Sequence, residues 1–172
     1  MNAVGVIVDE SPLYQESFLN EERNISIEQG FNICLFFFNY LWPSTEPKLA
    51  KLDDEESTVN QLFFLHTCIG FECSAQWIQA VYLATKIPKE EQKKGFKLTE
   101  KEVFFSTLEF NKIYNKVFHF KLIYVLNLLE SMLTHSMDYY FEWSIWEKAV
   151  DYSFKITSFI DLNWDDTLPQ NE

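Results

Sequence analysis

The hydrophobic residues of this chain recur every three or four positions over long stretches, which is the spacing of an amphipathic helix. The best-marked stretch covers residues 27–42, where aromatic side chains widen the apolar stripe until it runs nearly all round, as in a central helix. Pro43 is expected to end this helix, because proline has no amide hydrogen to donate to the preceding turn. The same spacing predicts a short helix over residues 11–20 and a longer one that ends before Pro88.

A further helix start is marked by a capping box. Thr99 and Glu102 have the spacing at which each side chain hydrogen-bonds the other residue's amide, so a helix is expected to begin there. The apolar stripe that follows continues to residue 133, which is long for one globular helix, and a bend is expected around residues 111–115. A last helix is expected over residues 136–160.

The predicted fold class is all-α. Alternating apolar and polar residues with hairpin turns are absent from the sequence, which argues against a β-rich fold. We therefore predict a single domain over residues 1–172, a bundle of about five or six helices. Residues 1–10, rich in β-branched side chains, are expected to form a short extended segment, and residues 161–172 an acidic C-terminal tail.

The chain is strongly acidic, with 26 acidic and 14 basic residues and a net charge of −12. A nucleic-acid-binding protein needs a cationic surface to displace counterions, so nucleic acid is not expected among the partners. Residues 1–85 hold 12 acids and 3 bases, and residues 122–172 hold 9 acids and 2 bases. Residues 86–121, with 5 acids and 9 bases, form a weakly basic middle. Clustered carboxylates of this kind either keep a protein soluble or steer a basic partner towards it.

No stretch of the sequence has the features of export or membrane insertion. The first ten residues contain no Lys or Arg for the basic start of a signal peptide, and no apolar run approaches the ~18 residues that span a bilayer. The three cysteines, an odd number, cannot all pair within one chain, so reduced and mostly buried thiols are expected. These features indicate a cytoplasmic protein without a membrane partner.

The sequence contains no recognised catalytic motif. The four glycines are too widely spaced for a phosphate-binding or dinucleotide-binding loop, and no Glu-x-x-His pair suits a di-iron site. His66, Cys68 and Cys73 lack the paired Cys-x2–4-Cys spacing of structural zinc sites, so buried thiols are the favoured interpretation. We therefore expect no metal, no cofactor and no catalytic residue, and the protein is not expected to be an enzyme.

Five large rings lie within eight residues, at Tyr139, Tyr140, Phe141, Trp143 and Trp146. Positions 139, 143 and 146 share one face of a helix and position 141 lies on another, so the two faces cannot both point into one narrow core. Core packing is the simplest interpretation of these rings. The alternative is an exposed Tyr and Trp set rimmed by Asp138, Glu142 and Glu147, which has the composition of an interface hot spot.

In composition the chain resembles bacterial immunity proteins and other small protein inhibitors, which neutralise a toxic enzyme by covering it. The resemblance implies an acidic inhibitor of a basic nuclease toxin domain, whose carboxylates replace the substrate's phosphates. The chain itself is expected to be a monomer or a weak dimer. The residues predicted to bind the partner are two acidic runs and three tryptophans, namely Asp53, Asp54, Glu55, Glu56, Trp143, Trp146, Asp161, Trp164, Asp165 and Asp166. Three alternatives stay open: a phage-type DNA-mimic inhibitor of a host nuclease, a helical adaptor subunit and an unrecognised enzyme.

Overall fold

Helices are the main regular structure in the described part of the chain. The computed structural model describes residues 19–49, 73–117, 123–159, 161–165 and 167. Its helices are α1 (Ile27–Leu49), α2 (Ser74–Thr85), α3 (Lys89–Lys93), α4 (Glu100–Val117), α5 (Ile123–Thr134) and α6 (Tyr140–Ser153), with a 3-10 turn (Ser136–Tyr139) before α6. These ranges contain no β-strand, and their one isolated antiparallel bridge joins Ile25 to Leu98. The predicted all-α fold is confirmed, while the expected extended segment at residues 1–10 lies outside the described residues.

α4 begins where the sequence predicts it. The Glu102 amide donates to the Thr99 hydroxyl at 3.0 Å, and the Thr99 amide donates to the Glu102 carboxylate at 2.9 Å. These reciprocal bonds satisfy two amide groups that a helix start otherwise leaves without partners. α2 likewise ends before Pro88, with Lys86 in the left-handed conformation directly after its last residue.

Two helix ends differ from the prediction. α1 continues past Pro43 to Leu49. A proline inside a helix costs one hydrogen bond, but its fixed φ is close to the helical value, so the backbone can pass through it. α6 ends at Ser153 and not near residue 160. There the amides of Phe154 and Lys155 donate to carbonyls three residues back, which tightens the last turn and closes the helix.

The long apolar stripe up to residue 133 is divided between α4 and α5, and α4 runs without a break through residues 111–115 to end at Val117. Asn111 is buried within the helix, and its side-chain amide donates to the Thr107 carbonyl one turn earlier at 3.2 Å. The side chain therefore finds a partner on its own helix and has no need of a break in the backbone.

α1, α2 and α4 meet around the indole of Trp77, which is fully buried. Among the described helices, α2 and α4 pack together most extensively. The Trp77 ring stacks on Phe31 with 5.3 Å between ring centres, and its N–H donates to the Ile27 carbonyl at 3.0 Å. Gly30 permits this approach, because a Cβ there would lie 3.2 Å from Trp77 and 3.4 Å from Val103. The first turn of α1 thus supplies the hydrogen-bond acceptor that a buried indole needs.

α6 is held against α1, α4 and α5 by Trp143 and Trp146. Phe104 of α4 stacks on Trp143 with ring centres 5.0 Å apart and meets Trp146 edge-on at 4.9 Å. Phe37 of α1 also meets Trp146 edge-on, at 5.4 Å. The Trp143 indole donates to the Met132 carbonyl of α5 at 3.1 Å. Stacked and edge-on ring pairs add stability beyond the area that they bury, so this cluster fixes the rotation of α6 about its axis.

Residues 19–25, here called the N-terminal strap, pair with the start of α4 and the residues before it. Ile25 and Leu98 exchange two backbone hydrogen bonds of 2.7 and 3.1 Å. The Asn20 amide donates to the Glu100 carboxylate at 3.2 Å. Leu19 is buried in the hydrophobic core. The strap is therefore an integral part of the packed structure.

The charged contact of the strap is made by Arg23. Its guanidinium donates to both carboxylate oxygens of Glu102, at 2.9 and 2.7 Å, and to the Lys97 carbonyl at 3.2 Å. The same group lies over the Phe96 ring, 5.0 Å from its centre. Glu102 thus closes the helix cap with one hydrogen bond and holds the strap with two more.

We expect Glu102→Gln to loosen the strap, because the substitution removes the charge to which both the Arg23 guanidinium and the Thr99 amide donate. Trypsin should then cut more rapidly after Arg23. The free energy of unfolding should fall by at most ~1 kcal/mol, the range for a partly exposed ion pair, because a glutamine oxygen can still accept the Thr99 amide of the capping box. Timed proteolysis and urea denaturation measure the two effects.

Glu109→Gln is the matched control, since Glu109 lies on the same helix and pairs with Lys112 at 3.6 Å, away from the strap. Its cleavage after Arg23 should match that of the parent chain. Equal cleavage rates in Glu102→Gln and the control would contradict the role given to Glu102.

Candidate partner-binding surface

Trp143 and Trp146, two of the residues predicted to bind a partner, lie inside the core. Their side chains are 1 % and 0 % exposed, so the hypothesis of an exposed tryptophan set is wrong and core packing is the correct interpretation. Glu142, expected at the rim of that set, is also buried. The reason is the phase of α6, which turns positions 142, 143 and 146 inward and places Tyr140 and Phe141 on the opposite side.

Trp164, the third predicted tryptophan, is partly buried against the core. Its neighbour Leu162 is buried, and the Asn163 amide donates to the Ser74 hydroxyl at 2.7 Å, at the start of α2. This part of the C-terminal tail is therefore docked on the helices.

The predicted acidic residues divide between described and undescribed parts of the chain. Asp161 and Asp165 are exposed. Asp166 and the run Asp53–Glu56 lie outside the described residues. The part of these acids in binding a partner stays a prediction.

The largest exposed apolar side chains come together at the start of α6. Phe141 is 59 % exposed, Tyr140 56 % and Met137 55 %, the three highest values among the large hydrophobic residues of the described chain. The Tyr140 hydroxyl donates to the Met137 sulfur at 3.4 Å, so two of the three are in contact. We call the exposed side of α6 and its preceding turn the α6 surface, comprising Met137, Asp138, Tyr140, Phe141, Ser144, Glu147, Lys148, Asp151 and Tyr152.

Some acids of the described chain form ion pairs, which join Glu21 to Lys101, Glu91 to Lys94, Glu102 to Arg23 and Glu109 to Lys112. Glu147 and Asp151 make no such pair with any described residue, although the exposed Lys148 lies one helical turn before Asp151. Glu147 and Asp151 lie one helical turn apart, where two like charges repel each other. An approaching cation would relieve that repulsion.

Behind these two acids lies the carboxyl group of Glu100, which is only 8 % exposed. One oxygen accepts the Trp146 indole N–H at 2.9 Å and the other accepts the Asn20 amide at 3.2 Å. Burial raises the pKa of Glu100 above its ordinary value, the two hydrogen bonds lower it, and the charges of Glu147 and Asp151 raise it further. Three carboxyl groups therefore act on one another at this end of α6.

The described residues contain no group of three or more His, Cys, Asp or Glu side chains placed to hold a metal ion. Cys34 and Cys73 are buried and form no disulfide, as expected for core thiols. Burial raises the pKa of the Cys34 thiol far above its ordinary value, which keeps it in the unreactive thiol form. His66, Cys68 and His119 lie outside the described residues, and His135 is exposed directly after the last residue of α5.

None of the helices in the described ranges has the length and apolar character needed to cross a membrane. Comparison with known proteins gives no match: no family model, no curated protein and no solved structure is similar to this chain.

The raised pKa of Glu100 makes the free energy of unfolding depend on pH. The folded chain holds the proton of the Glu100 carboxyl more tightly than the unfolded chain does. The protonated group therefore stabilises the fold fully below the ordinary pKa of 4.5, and this stabilisation is lost as the pH rises through the pKa of the folded chain. We expect the difference in unfolding free energy between the parent chain and Glu100→Gln to shrink as the pH rises above 4.5. Urea denaturation at a series of pH values measures it.

Glu130→Gln, an exposed position on α5, serves as the control for the loss of one carboxyl group. A pH dependence of Glu100→Gln parallel to that of the parent chain would show that Glu100 takes no part in the linkage.

Proposed function

We propose that this protein is an acidic inhibitor that binds a basic protein partner through the α6 surface. The observation that carries the proposal is that the most exposed aromatic side chains in the described chain, Tyr140 and Phe141, lie on the same exposed side of α6 as Glu147 and Asp151, which form no ion pair with a described residue. Exposed apolar groups that lie together on a charged protein are typical of interaction sites. Aromatic residues are also the usual anchors of protein interfaces.

The two kinds of side chain would act at different stages of binding. Unpaired carboxylates attract a basic partner over several ångströms and so raise the rate of association. The aromatic side chains lose their exposed surface only in the final complex, so they act mainly on the rate of dissociation. The net charge of −12 adds a long-range attraction for any cationic protein.

The partner we favour is the nucleic-acid-cleaving domain of a toxin, which makes the chain a bacterial immunity protein acting in the cytoplasm as a monomer or weak dimer. A nuclease binds phosphates with Lys and Arg side chains, and a surface of carboxylates can occupy those side chains in place of the phosphates. A phage-type DNA mimic aimed at a host nuclease would use the same chemistry and differ in its target. Binding of a neutral partner would identify a helical adaptor, and turnover of a small molecule would identify an enzyme.

The proposal is tested by isolating the partner from cells of the same organism and measuring binding kinetics with the purified pair. We expect a basic partner whose association rate falls steeply between low and high salt, because salt screens the charges that steer the encounter. An association rate independent of salt would favour the adaptor, and a partner without basic character would contradict the proposal.

Substitutions on α6 separate the two stages of binding. Glu147→Lys with Asp151→Lys should slow association by roughly tenfold at low salt, because both changes oppose a cationic partner. Phe141→Ala should raise the dissociation rate by about 30-fold, equivalent to about 2 kcal/mol for a central aromatic anchor. Surface plasmon resonance measures both rates.

Glu90→Lys on α3 and Tyr82→Ala on α2 are matched controls, since both residues are exposed on helices other than α6. Both controls should bind as the parent chain does. Asp161→Lys with Asp165→Lys tests the predicted role of the tail in the same assay. Slower association in the tail variant with unchanged rates in the α6 variants would move the site from α6 to the tail.

A further inference from the structure

Met137 is the most exposed sulfur-containing side chain of the described chain. Four side chains in the described ranges contain sulfur. Met132, Cys34 and Cys73 are buried, with exposed fractions of 0 %, 0 % and 2 %, whereas Met137 is 55 % exposed. An oxidant dissolved in water therefore reaches Met137 far more readily than the other three sulfur atoms.

The turn that joins α5 to α6 separates the two methionines. Met132 lies on α5 in the hydrophobic core, and Met137 lies in the 3-10 turn that follows. Between them, the buried Ser136 hydroxyl donates to the Met132 carbonyl at 2.9 Å, and the next side chain, that of Met137, lies outside the core. The two thioethers have the same chemistry and differ in solvent access, so Met132 is an internal control for Met137.

The sulfur of Met137 is also held by a specific contact. It accepts a hydrogen bond from the Tyr140 hydroxyl at 3.4 Å, and this contact is exposed. A thioether sulfur carries two lone pairs, and an oxidant attacks one or the other. The hydroxyl occupies one lone pair and leaves the other open. Because the two lone pairs give sulfoxides of opposite configuration, this contact favours one of the two epimers.

We propose that Met137 is an oxidation site, where a peroxide converts the thioether to a sulfoxide, the Tyr140 hydroxyl directs it to one face of the sulfur, and the product weakens binding at the α6 surface. The effect on binding rests on the proposed function, whereas the oxidation itself does not.

The chemistry needs only the peroxide. A lone pair of the Met137 sulfur attacks one peroxide oxygen, the O–O bond breaks, and hydrogen peroxide leaves its second oxygen as water. The sulfur is oxidised by two electrons and the peroxide is reduced. Methionine sulfoxide reductases reverse the change at the expense of a dithiol, which becomes a disulfide as water is released.

Oxidation changes the character of the surface without opening the core. Met137, Tyr140 and Phe141 are the most exposed large apolar side chains of the described chain, and a sulfoxide places a strongly polar oxygen among them. A partner that covers this oxygen without donating a hydrogen bond to it loses free energy. The fold itself should persist, because Met132 stays reduced in the core.

Hydrogen peroxide added to the folded full chain tests the site, with the sulfoxide at each methionine followed over time by tandem mass spectrometry. We expect Met137 to gain an oxygen atom roughly tenfold faster than Met132, and the two rates to become similar in urea, where both side chains are exposed. Similar rates in the folded chain, or a faster reaction at Met132, would overturn the site.

Two reductases, each specific for one epimer, test the part of Tyr140 when they are given separately to the oxidised chain after unfolding. One reductase should restore most of the Met137 thioether. Tyr140→Phe, which removes only the hydroxyl, should make the two epimers nearly equal, whereas the control Tyr82→Phe on α2 should keep the ratio of the parent chain. Equal epimers in the parent chain would overturn the directing role of the hydroxyl.

Surface plasmon resonance with the basic protein isolated under the proposed function tests the effect on binding. Oxidation of the parent chain should raise the dissociation rate roughly fivefold, because a polar oxygen enters the covered surface. Met137→Leu keeps an apolar side chain of similar size, so it should bind as the parent chain does and resist peroxide.

The failures of the two proposals are distinguishable. A dissociation rate unchanged by complete oxidation of Met137, while Phe141→Ala still raises it, would overturn the effect of oxidation and leave the α6 surface in place. Rates unchanged by both would overturn that effect together with the surface assigned under the proposed function.

Discussion

The hydrogen bond from the Trp146 indole to the Glu100 carboxylate is the contact on which the arrangement of the other elements depends. Glu100 is the first residue of α4, where the positive end of the helix dipole favours a carboxylate. Its second oxygen accepts the Asn20 amide, so one buried side chain joins α4, α6 and the strap. A buried carboxyl group is costly unless its oxygens find donors, and these two donors can reach it together only when all three elements are in place.

This contact also determines which side of α6 faces outward. With Trp143 and Trp146 directed into the core, the helical repeat leaves Tyr140, Glu147 and Asp151 on the exposed side. The surface proposed for partner binding is therefore a by-product of the packing of two tryptophans. The same geometry places the Glu100 carboxyl behind the exposed acids, where each ionised group makes the charge of the others less favourable.

The features predicted correctly from sequence are those that depend on neighbours in the chain. Thr99 and Glu102 are three residues apart, so their capping box can be recognised without any knowledge of the fold. The all-α fold class likewise follows from the spacing of apolar residues along the chain. The predicted end of α1 at Pro43 is wrong because proline only disfavours a helix interior, and here the helix continues through it. The prediction that Trp143 lies on a partner-binding surface is wrong because either face of an aromatic-rich helix can serve as the core, and spacing alone does not tell which.

The residues that sequence reasoning missed depend on contacts between distant parts of the chain. Glu100 looks like an ordinary acid in a first helical turn, and nothing near it indicates burial beneath Trp146 and Asn20. Arg23 lies among exposed polar residues, and its partners are 74 to 79 positions further along. The group of one arginine, one acid and one aromatic ring forms only when the strap and the start of α4 lie side by side.

The long separation between the strap and its partners sets an order for folding. Asn20 and Glu100 are 80 positions apart, so the strap finds its acceptors only after about half of the chain has followed it from the ribosome. Closing so large a loop carries an entropic cost that local helices do not bear, although that cost grows slowly with loop length. The strap therefore cannot dock until the start of α4 has been synthesised, and only from that point can the Asn20 amide cover one oxygen of the Glu100 carboxylate.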